Sequence, residues 1–182
     1  MPDTIAETTD LLRRTPGVLR ALLGHAPEAW VDTPDKDGGW RPRDVVGHLI
    51  TGEQTNWIAR ARRILDDGPS RPFDPFDRFE MLERDRGTPL DDLIDRFTEL
   101  RAANLTTLAS MAADEDLARR GLHPVLGEVT LGELLTTWAV HDLDHVAQVF
   151  AGMAGSHDAA VGPWKAYLGI LLRRDDPAAI AG

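Results

Sequence analysis

The chain has 182 residues, of which 42% are hydrophobic and 27% charged, and its formal net charge is -10. This length and balance fit one globular domain over residues 1–182 and argue against disorder. The acidic balance argues against a nucleic-acid partner and against docking on an anionic membrane. Because the chain has no cysteine, any metal ion must be bound by imidazole, carboxylate, carbonyl or water. No signal peptide or membrane-spanning run is visible, which predicts a cytoplasmic protein.

Apolar residues recur at helical spacing along most of the chain, and no strand pattern competes with them. The predicted helices, in chain order, cover residues 4–14, 15–25, 42–65, 88–111, 130–152 and 161–173. Thr15 and Pro16 interrupt the first apolar stripe, so the second segment is expected as a new or kinked helix. Four residues of the last helix are expected to face the core: Trp164, Tyr167, Leu168 and Leu171. Long amphipathic helices joined by loops indicate an all-α bundle with an extra C-terminal helix.

Three longer connections separate these helices, and they are rich in Pro and Gly. They cover residues 26–40, 66–88 and 112–129. Trp30 and Trp40 stand at the ends of the first and are expected to fold back onto the core. The second carries three phenylalanines at steps of three residues: Phe73, Phe76 and Phe79. A connection of that length is expected to wrap the bundle, cover a pocket or make a subunit contact, and simple packing of the phenylalanines is favoured.

Residues 130–150 form the most informative segment of the sequence. Thr130 and Glu133 have the spacing of a capping box just before an apolar run, which predicts a helix start. Five residues then follow at steps of four, three, four and four along one helix face: Leu134, Trp138, His141, His145 and Val149. Residues four apart on a helix have Cβ atoms roughly 5–6 Å from each other. His141 and His145 are therefore close enough to share a metal ion, although they could equally be core residues satisfied by hydrogen bonds.

A third histidine, His48, falls on the inward stripe of the predicted helix 42–65. Three buried imidazoles in one core would lose solvation unless a common partner satisfies them. A divalent cation held by neutral imidazoles is such a partner, and three protein ligands with one open position are typical of a catalytic site. The remaining histidines lie at helix ends or in loops and are expected at the surface: His25, His123 and His157.

Two stretches together resemble a known family. GGWRPRDVVGHLITGE is followed some eighty residues later by VTLGELLTTWAVHDLDHVAQ. This combination of a Trp before a one-histidine helix and a late helix with H-x-x-x-H resembles the DinB-like superfamily of the DinB/YfiT type. The resemblance covers roughly residues 10–172 in helix order and spacing.

The resemblance implies an up-down-down-up four-helix bundle that is often dimeric. It implies that His48, His141 and His145 bind a divalent metal ion, nickel or zinc before others. Relatives of known activity include thiol S-transferases that use bacillithiol and a mycothiol-dependent maleylpyruvate isomerase. The partners expected from the family are thus a small-molecule substrate, a low-molecular-weight thiol among the candidates, and a second copy of the chain.

Catalytic residues are not identified by the pattern, but three polar side chains near the histidines are candidates. Gln148 lies on the same stripe as the histidine pair and could orient a substrate or hydrogen-bond to a ligand. Asp144 could orient an imidazole, whereas a solvated or helix-pairing carboxylate is the simpler interpretation for it and for Asp142. Glu53 lies about 140° around the helix from His48, which disfavours direct ligation.

Two functions therefore remain open at this point. The first is a divalent-metal-dependent transferase or hydrolase acting on a small molecule, with a metal-bound water or thiol as nucleophile. The alternative is a non-catalytic metal-binding or dimeric scaffold protein of the same family. The two differ in whether one coordination position stays open and whether a pocket lies beside it.

Overall fold

The computed structural model describes residues 4–36 and 38–174, and the described chain is mostly helical. The α-helices are α1 Ile5–Leu23, α2 Glu28–Val31, α3 Pro42–Thr55, α4 Trp57–Asp67, α5 Met81–Arg84, α6 Leu90–Met111, α7 Leu131–Gly155, α8 Asp158–Val161 and α9 Gly169–Arg174. Short 3-10 turns cover Gly68–Ser70, Asp114–Ala118 and Gly162–Tyr167. Within the described residues, no helix has the length and apolar character needed to cross a bilayer.

Four long segments form the bundle: α1, α3 with its continuation α4, α6 and α7. Their buried side chains form two adjoining apolar clusters. One is centred on Trp57, Trp138 and Leu12, and the other on Phe97, Leu49 and Val149. The histidines predicted from sequence lie on α3 and α7, which pack against each other in this bundle.

The first helix runs without interruption from Ile5 to Leu23, so the expectation of a new helix at Pro16 is wrong. Proline has no N–H, which leaves the carbonyl four residues earlier without its helical partner. That carbonyl belongs to Leu12, and it accepts a hydrogen bond of 2.7 Å from Nη1 of Arg101 on α6. A donor from another helix thus replaces the missing bond, and the proline is accommodated inside the helix.

The second long helix is divided at Asn56, where ψ is -73° and φ is -108°. The division separates α3 from α4 and directs Trp57 back over Gly52. A Cβ at Gly52 would lie 2.9 Å from the indole Nε1 of Trp57. Gly52 therefore allows this tryptophan to pack closely against α3.

The connection between α6 and α7 contains a β-hairpin that the sequence analysis did not predict. Strands β1 Arg120–His123 and β2 Gly127–Thr130 pair antiparallel, and His123 stands opposite Gly127. Each strand has four residues and no strict alternation of buried and exposed side chains, so the period-two signal is absent. Strand β2 leads directly into α7 and fixes where that helix begins.

The C-terminal region also differs from the expectation of one helix over 161–173. Gly162 has φ +54° and is followed by Pro163, so α8 ends and a 3-10 turn begins there. Three of the four residues predicted to face the core are exposed: Trp164, Tyr167 and Leu168. Leu171 on α9 is buried as predicted. Residues 175–182, and with them the end of the predicted domain 1–182, lie outside the described residues.

Candidate metal centre

Helices α3 and α7 bring the three predicted histidines together. Nε2 of His141 lies 3.2 Å from Nε2 of His48 and 3.1 Å from Nε2 of His145. The three ligand nitrogens all lie within 4.8 Å of one another. His48 and His145 are buried, and His141 is partly exposed. One face of the bundle thus presents three imidazole nitrogens to a common point.

The start of α7 sets the direction of its histidines. Thr130 Oγ1 accepts from the backbone N–H of Glu133 at 3.1 Å, and Glu133 Oε2 accepts from the N–H of Thr130 at 2.7 Å. This is the capping box predicted from sequence. Because the helix begins immediately after β2, the cap fixes which face of α7 turns towards α3.

The outer nitrogens of two of these imidazoles are bound by acceptors. His48 Nδ1 lies 3.3 Å from the carbonyl oxygen of Arg78, and His145 Nδ1 lies 2.8 Å from Oε1 of Gln148. Both contacts require Nδ1 to carry the proton, because an oxygen of this kind only accepts. A neutral ring with Nδ1–H has a bare lone pair on Nε2, so His48 and His145 both direct acceptors at His141.

His141 cannot satisfy this arrangement by itself. Its Nδ1 is buried and has no hydrogen-bond partner. If the Nδ1 carries the proton, three lone pairs meet at the centre of the cluster. If the Nε2 carries it, one N–H faces two acceptors and the buried Nδ1 lone pair stays unpaired. Either tautomer leaves the cluster incomplete, which is unusual for buried polar groups in native proteins.

The electrostatics of the cluster keep the rings neutral. Burial, and after it the neighbouring His145, lowers the pKa of His48 to about 4. Burial together with the neighbouring imidazoles lowers the pKa of His141 to about 2. Burial also lowers the pKa of His145, although Gln148 and nearby carboxylates oppose the shift. Metal ions bind imidazole only in its neutral form, so the rings are ready to act as ligands near pH 7.

The geometry of the nitrogens fits a divalent metal ion. Two Zn–N bonds of about 2.0–2.1 Å at a tetrahedral angle place their nitrogens about 3.3 Å apart. The two Nε2 separations of 3.1 and 3.2 Å are close to that value. Imidazole ligands suit zinc, nickel, copper and iron alike, so the set of three fits a metal without selecting one.

Aromatic rings form the walls around the histidines. Trp40 lies 4.6 Å from the ring of His48 and stacks on His145 at 6.1 Å between centroids. Phe76 contacts His48 edge-on at 5.7 Å, and Trp57 contacts His141 edge-on at 5.0 Å. Phe76 comes from the connection 66–88, so this segment covers the site. That was one of the three roles expected for it.

A groove of about 540 Å³ opens beside His141. Its other lining residues all come from α7: Glu133, Thr136, Thr137, Val140 and Asp144. His141 is the most exposed member of the cluster, and the groove reaches the cluster at this residue. A closed structural site would not need such an approach.

The three candidate catalytic residues fall in different places. Gln148 contacts the cluster directly through His145. Asp144 is exposed and lines the groove beside His141. Glu53 is buried and does not face the histidines: its carboxylate accepts from Arg101 at 2.8 Å and from Trp138 Nε1 at 3.1 Å.

Glu53 belongs to a second buried polar cluster, which the sequence analysis missed. Arg101 donates to the backbone of Leu12, to Glu53 and to Asp142, and so uses all five of its N–H groups. Asn104 adds a bond of 2.9 Å to the other oxygen of Glu53. Asp142 is completely buried here, so its expected solvated position is wrong, whereas its helix-pairing alternative is right. The signal was available, because Arg101 follows Ile94 and Phe97 at helical spacing.

The remaining histidines lie apart from the cluster. His25 has an exposed side chain that pairs with Asp91 at 3.0 Å. His123 is the last residue of β1, and its Nδ1 accepts from the backbone N–H of Val125 in the hairpin turn at 3.2 Å. His157 follows α7 and packs against Trp30 at 4.0 Å between ring centroids. His123 and His157 are partly buried, so the expected surface position describes only His25 fully.

Comparison with solved structures supports the same architecture. YfiT from Bacillus subtilis, which has what is described as an unusual four-helix bundle topology, matches with a TM-score of 0.70 at 23% sequence identity. The match covers 82% of this chain and 86% of that one. The up-down-down-up bundle with extra C-terminal helices is thereby confirmed.

Two curated relatives share part of the sequence. One, named "Putative metal-dependent hydrolase YfiT", from Bacillus subtilis (strain 168), is 28% identical over 141 residues, which are 76% of this chain and 78% of the relative. Another, named "Putative metal-dependent hydrolase", from Bacillus cereus (strain 03BB102), is 27% identical over 151 residues, 82% and 83% of the two chains. A family model described as the DinB superfamily matches residues 11–149. The chain belongs to the DinB superfamily.

Proposed function

We propose that this protein is a divalent-metal-dependent hydrolase of small molecules whose ion is bound by His48, His141 and His145. The observation that carries the proposal is the convergence of three Nε2 atoms in a cluster that no tautomer of His141 can satisfy. The names of the relatives favour hydrolysis over other reactions of a three-histidine site. Zinc and nickel are the ions we expect first, as the resemblance to the DinB-like family implies, and imidazole ligands suit both.

In this proposal the residues around the site have different roles. A bound divalent ion supplies one thing, a water of lowered pKa that can act as nucleophile near neutral pH. His48 and His145 are held in their ligating tautomers by Arg78 and Gln148. The rings of Trp40 and Trp57 pack against His48 and His141 and keep bulk water from these two sides of the cluster. Asp144 lines the groove at His141, and we propose that its carboxylate accepts a proton from the nucleophile.

The proposal is tested by hydrolysis assays with protein purified without an affinity tag. A panel of small esters, amides and lactones is offered to the purified protein, to chelator-treated protein and to treated protein with Zn²⁺ or Ni²⁺ restored. We expect hydrolysis of at least one class, its loss on chelation and its return with metal. His141→Ala should abolish it and Asp144→Asn should lower it. Activity that survives chelation and His141→Ala would contradict the proposal.

Thiol transfer is the second candidate reaction. The chain has no cysteine, so a thiolate nucleophile must come from a free low-molecular-weight thiol. The groove at His141 gives such a molecule a route to the cluster. Addition of a small thiol to Co²⁺-loaded protein tests this: a change in the visible absorption spectrum supports thiol binding at the ion, and an unchanged spectrum favours hydrolysis alone.

A homodimer is part of the proposal as well. Helix α7 exposes two apolar residues on its outer side, Leu143 and Phe150, which are 53 and 41% exposed. A helix that is apolar on nearly all sides is usually covered on all sides. We expect Leu143→Glu to turn a dimer into a monomer in light-scattering measurements. Leu126→Glu at the exposed hairpin turn is the matched control and should leave the dimer intact. A monomeric parent protein would contradict this part.

A further inference from the structure

Gln148 contacts His145 through its side-chain amide, whose oxygen and NH2 group have nearly the same size and shape. Its Oε1 lies 2.8 Å from His145 Nδ1, and its Nε2 lies 3.2 Å from Oδ2 of Asp35. An amide oxygen only accepts and an amide nitrogen only donates, so the orientation of the amide decides the protonation of the ring. If the amide were reversed, its NH2 would donate to Nδ1, and the ring proton would move to Nε2.

That reversal matters because Nε2 is the nitrogen that faces the other two histidines. A protonated Nε2 has no lone pair and cannot bind a cation. His48 does not face the same problem, because its Nδ1 meets the backbone carbonyl of Arg78, which cannot turn around. His145 instead depends on a side chain that needs a further residue to fix it.

Asp35 supplies that residue, since an ionised carboxylate accepts hydrogen bonds and donates none. With Oδ2 of Asp35 on one side, Gln148 must present its NH2 to Asp35 and its oxygen to His145. We propose that Asp35 is a positioning residue of the metal centre, which acts through Gln148 to keep His145 in the Nδ1–H tautomer that can bind an ion. This inference rests on the proposed metal site.

Contacts of the surrounding backbone also hold the segment around Asp35 in place. The backbone N–H of Asp35 donates to the carbonyl of Trp40, the residue whose ring stacks on His145. Farther along, Gly152 on α7 lets the same segment approach closely: a Cβ at Gly152 would lie 2.9 Å from the carbonyl oxygen of Thr33. The segment is therefore held against α7 at a second point, and a substitution of Asp35 should leave it in place.

Zinc affinity measured against a competing chelator tests the inference in untagged, metal-stripped protein. We expect Asp35→Ala and Gln148→Leu each to raise the Kd by about 10–100-fold, as removal of such outer contacts does at other metal sites. The double variant should match Gln148→Leu within about twofold, because Asp35 acts through Gln148. Asp32→Ala is the matched control: it removes a carboxylate of the same segment that pairs with Arg41 instead, and it should leave the Kd within about twofold.

A second measurement reads the tautomer itself. In metal-free protein, ¹⁵N NMR of the His145 ring should show Nδ1 protonated in the parent and a shift towards protonated Nε2 in Asp35→Ala. Asp35→Asn, whose amide can present either end to Gln148, should give a mixture of the two tautomers, and it keeps the test available if the alanine variant fails to fold.

Three results would overturn the inference. The first is an unchanged Kd for Zn²⁺ in Asp35→Ala. The second is a double variant in which the two losses of affinity multiply, as a purely electrostatic effect of Asp35 would give. The third is unchanged His145 ¹⁵N signals in both Asp35 variants. Failure of the proposed function looks different: the parent protein itself would then bind no Zn²⁺, while the NMR comparison would still report whether Asp35 sets the tautomer.

Discussion

The two buried polar clusters of this bundle use the same two helices, α3 and α7, in opposite ways. The arginine cluster of Arg101, Glu53 and Asp142 contains its own cation, and that cation uses every donor it has. The histidine cluster of His48, His141 and His145 contains only neutral rings that point lone pairs at one another. The comparison teaches that an ion would complete the second cluster as Arg101 completes the first.

The difference extends to what each cluster does for the fold. Arg101 joins α1, α3, α6 and α7 and replaces the helical hydrogen bond that Pro16 removes, so it is built into the bundle. Burial alone would lower the pKa of Arg101, but Glu53 and Asp142 raise it, so its charge is permanent. The histidine cluster lies beside a groove, so under the proposed function it can gain or lose a cation. Stability should depend on the first cluster, and metal binding on the second.

The largest effect is expected from removing the resident cation. Arg101→Met leaves two buried carboxylates without a partner, and breaking a buried ion pair in this way costs about 3–5 kcal/mol. Urea unfolding followed by circular dichroism measures the loss. Arg96→Met is the matched control, since Arg96 pairs with Asp85 at 3.4 Å from a far more exposed position, and its cost should stay below about 1 kcal/mol. Equal losses in the two variants would remove the distinction drawn between the clusters.

Binding of Zn²⁺ should give the next largest effect. Zn²⁺ at about 100 times its Kd should raise the free energy of unfolding by about 2.7 kcal/mol, because the ion binds the folded chain alone. His141→Ala should remove nearly all of this gain, whereas His25→Ala, which removes an exposed histidine, should retain it. Thermal unfolding with and without Zn²⁺ provides the measurement. A gain that persists in His141→Ala would place the ion elsewhere.

Acid should lower the free energy of unfolding of the metal-free protein through its buried histidines, and it should not change the charge of Arg101. The pKa of His48 is about 4 in the fold and about 6.5 in the unfolded chain. Between these values the unfolded chain binds a proton that the fold rejects, so stability falls as the pH drops below about 6.5. The slope attributable to one histidine is at most about 1.4 kcal/mol per pH unit. His48→Asn should show a shallower decline between pH 6 and 5, measured by urea unfolding; parallel curves for parent and variant would contradict this.

The smallest effect should come from the cap that α7 provides to both clusters. Thr130→Ala removes the side chain that accepts from Glu133 N–H and should cost about 1 kcal/mol. Both clusters depend on the position of α7, so stability and zinc affinity should fall together. Thr106→Ala on the exposed side of α6 is the control, because its hydroxyl bonds only within its own helix. A loss of zinc affinity without a loss of stability would show that the cap acts on the histidines alone.

Much of the histidine cluster could be predicted from the sequence. The steps between Trp138, His141 and His145 follow the period of a helix, and His48 falls on the inward stripe of another. The capping box at Thr130 fixed the start of α7 within one residue. Local periodicity identifies which side chains share a face, and a shared face was sufficient to predict that these three would meet.

The arginine cluster, in contrast, could not be predicted from local periodicity alone. Arg101 and Asp142 are charged residues on core-facing positions, and charge alone suggested a solvated place for Asp142. Their burial depends on partners from other helices, Glu53 among them, which no local pattern reveals. The continuity of α1 likewise depends on another helix, because the hydrogen bond that replaces the one lost at Pro16 is donated by Arg101 on α6.

The contacts that orient the histidines were also beyond local patterns. Gln148 was recognised as a residue of the ligand stripe, but its partner Asp35 lies 113 residues away in a connecting segment. Arg78 contributes only its backbone carbonyl, which any residue type could supply. The hairpin before α7 was not predicted, because strands of four residues are too short to show a clear period of two.

The most direct test of the account is the number of divalent ions bound per chain at saturation. Isothermal titration of Zn²⁺ into untagged, metal-stripped protein should give one ion per chain, and His48→Ala should lose that binding while remaining folded by circular dichroism. A parent protein that binds no ion, or a His48→Ala variant that binds one with unchanged affinity, would contradict the claim that these three imidazoles share a cation.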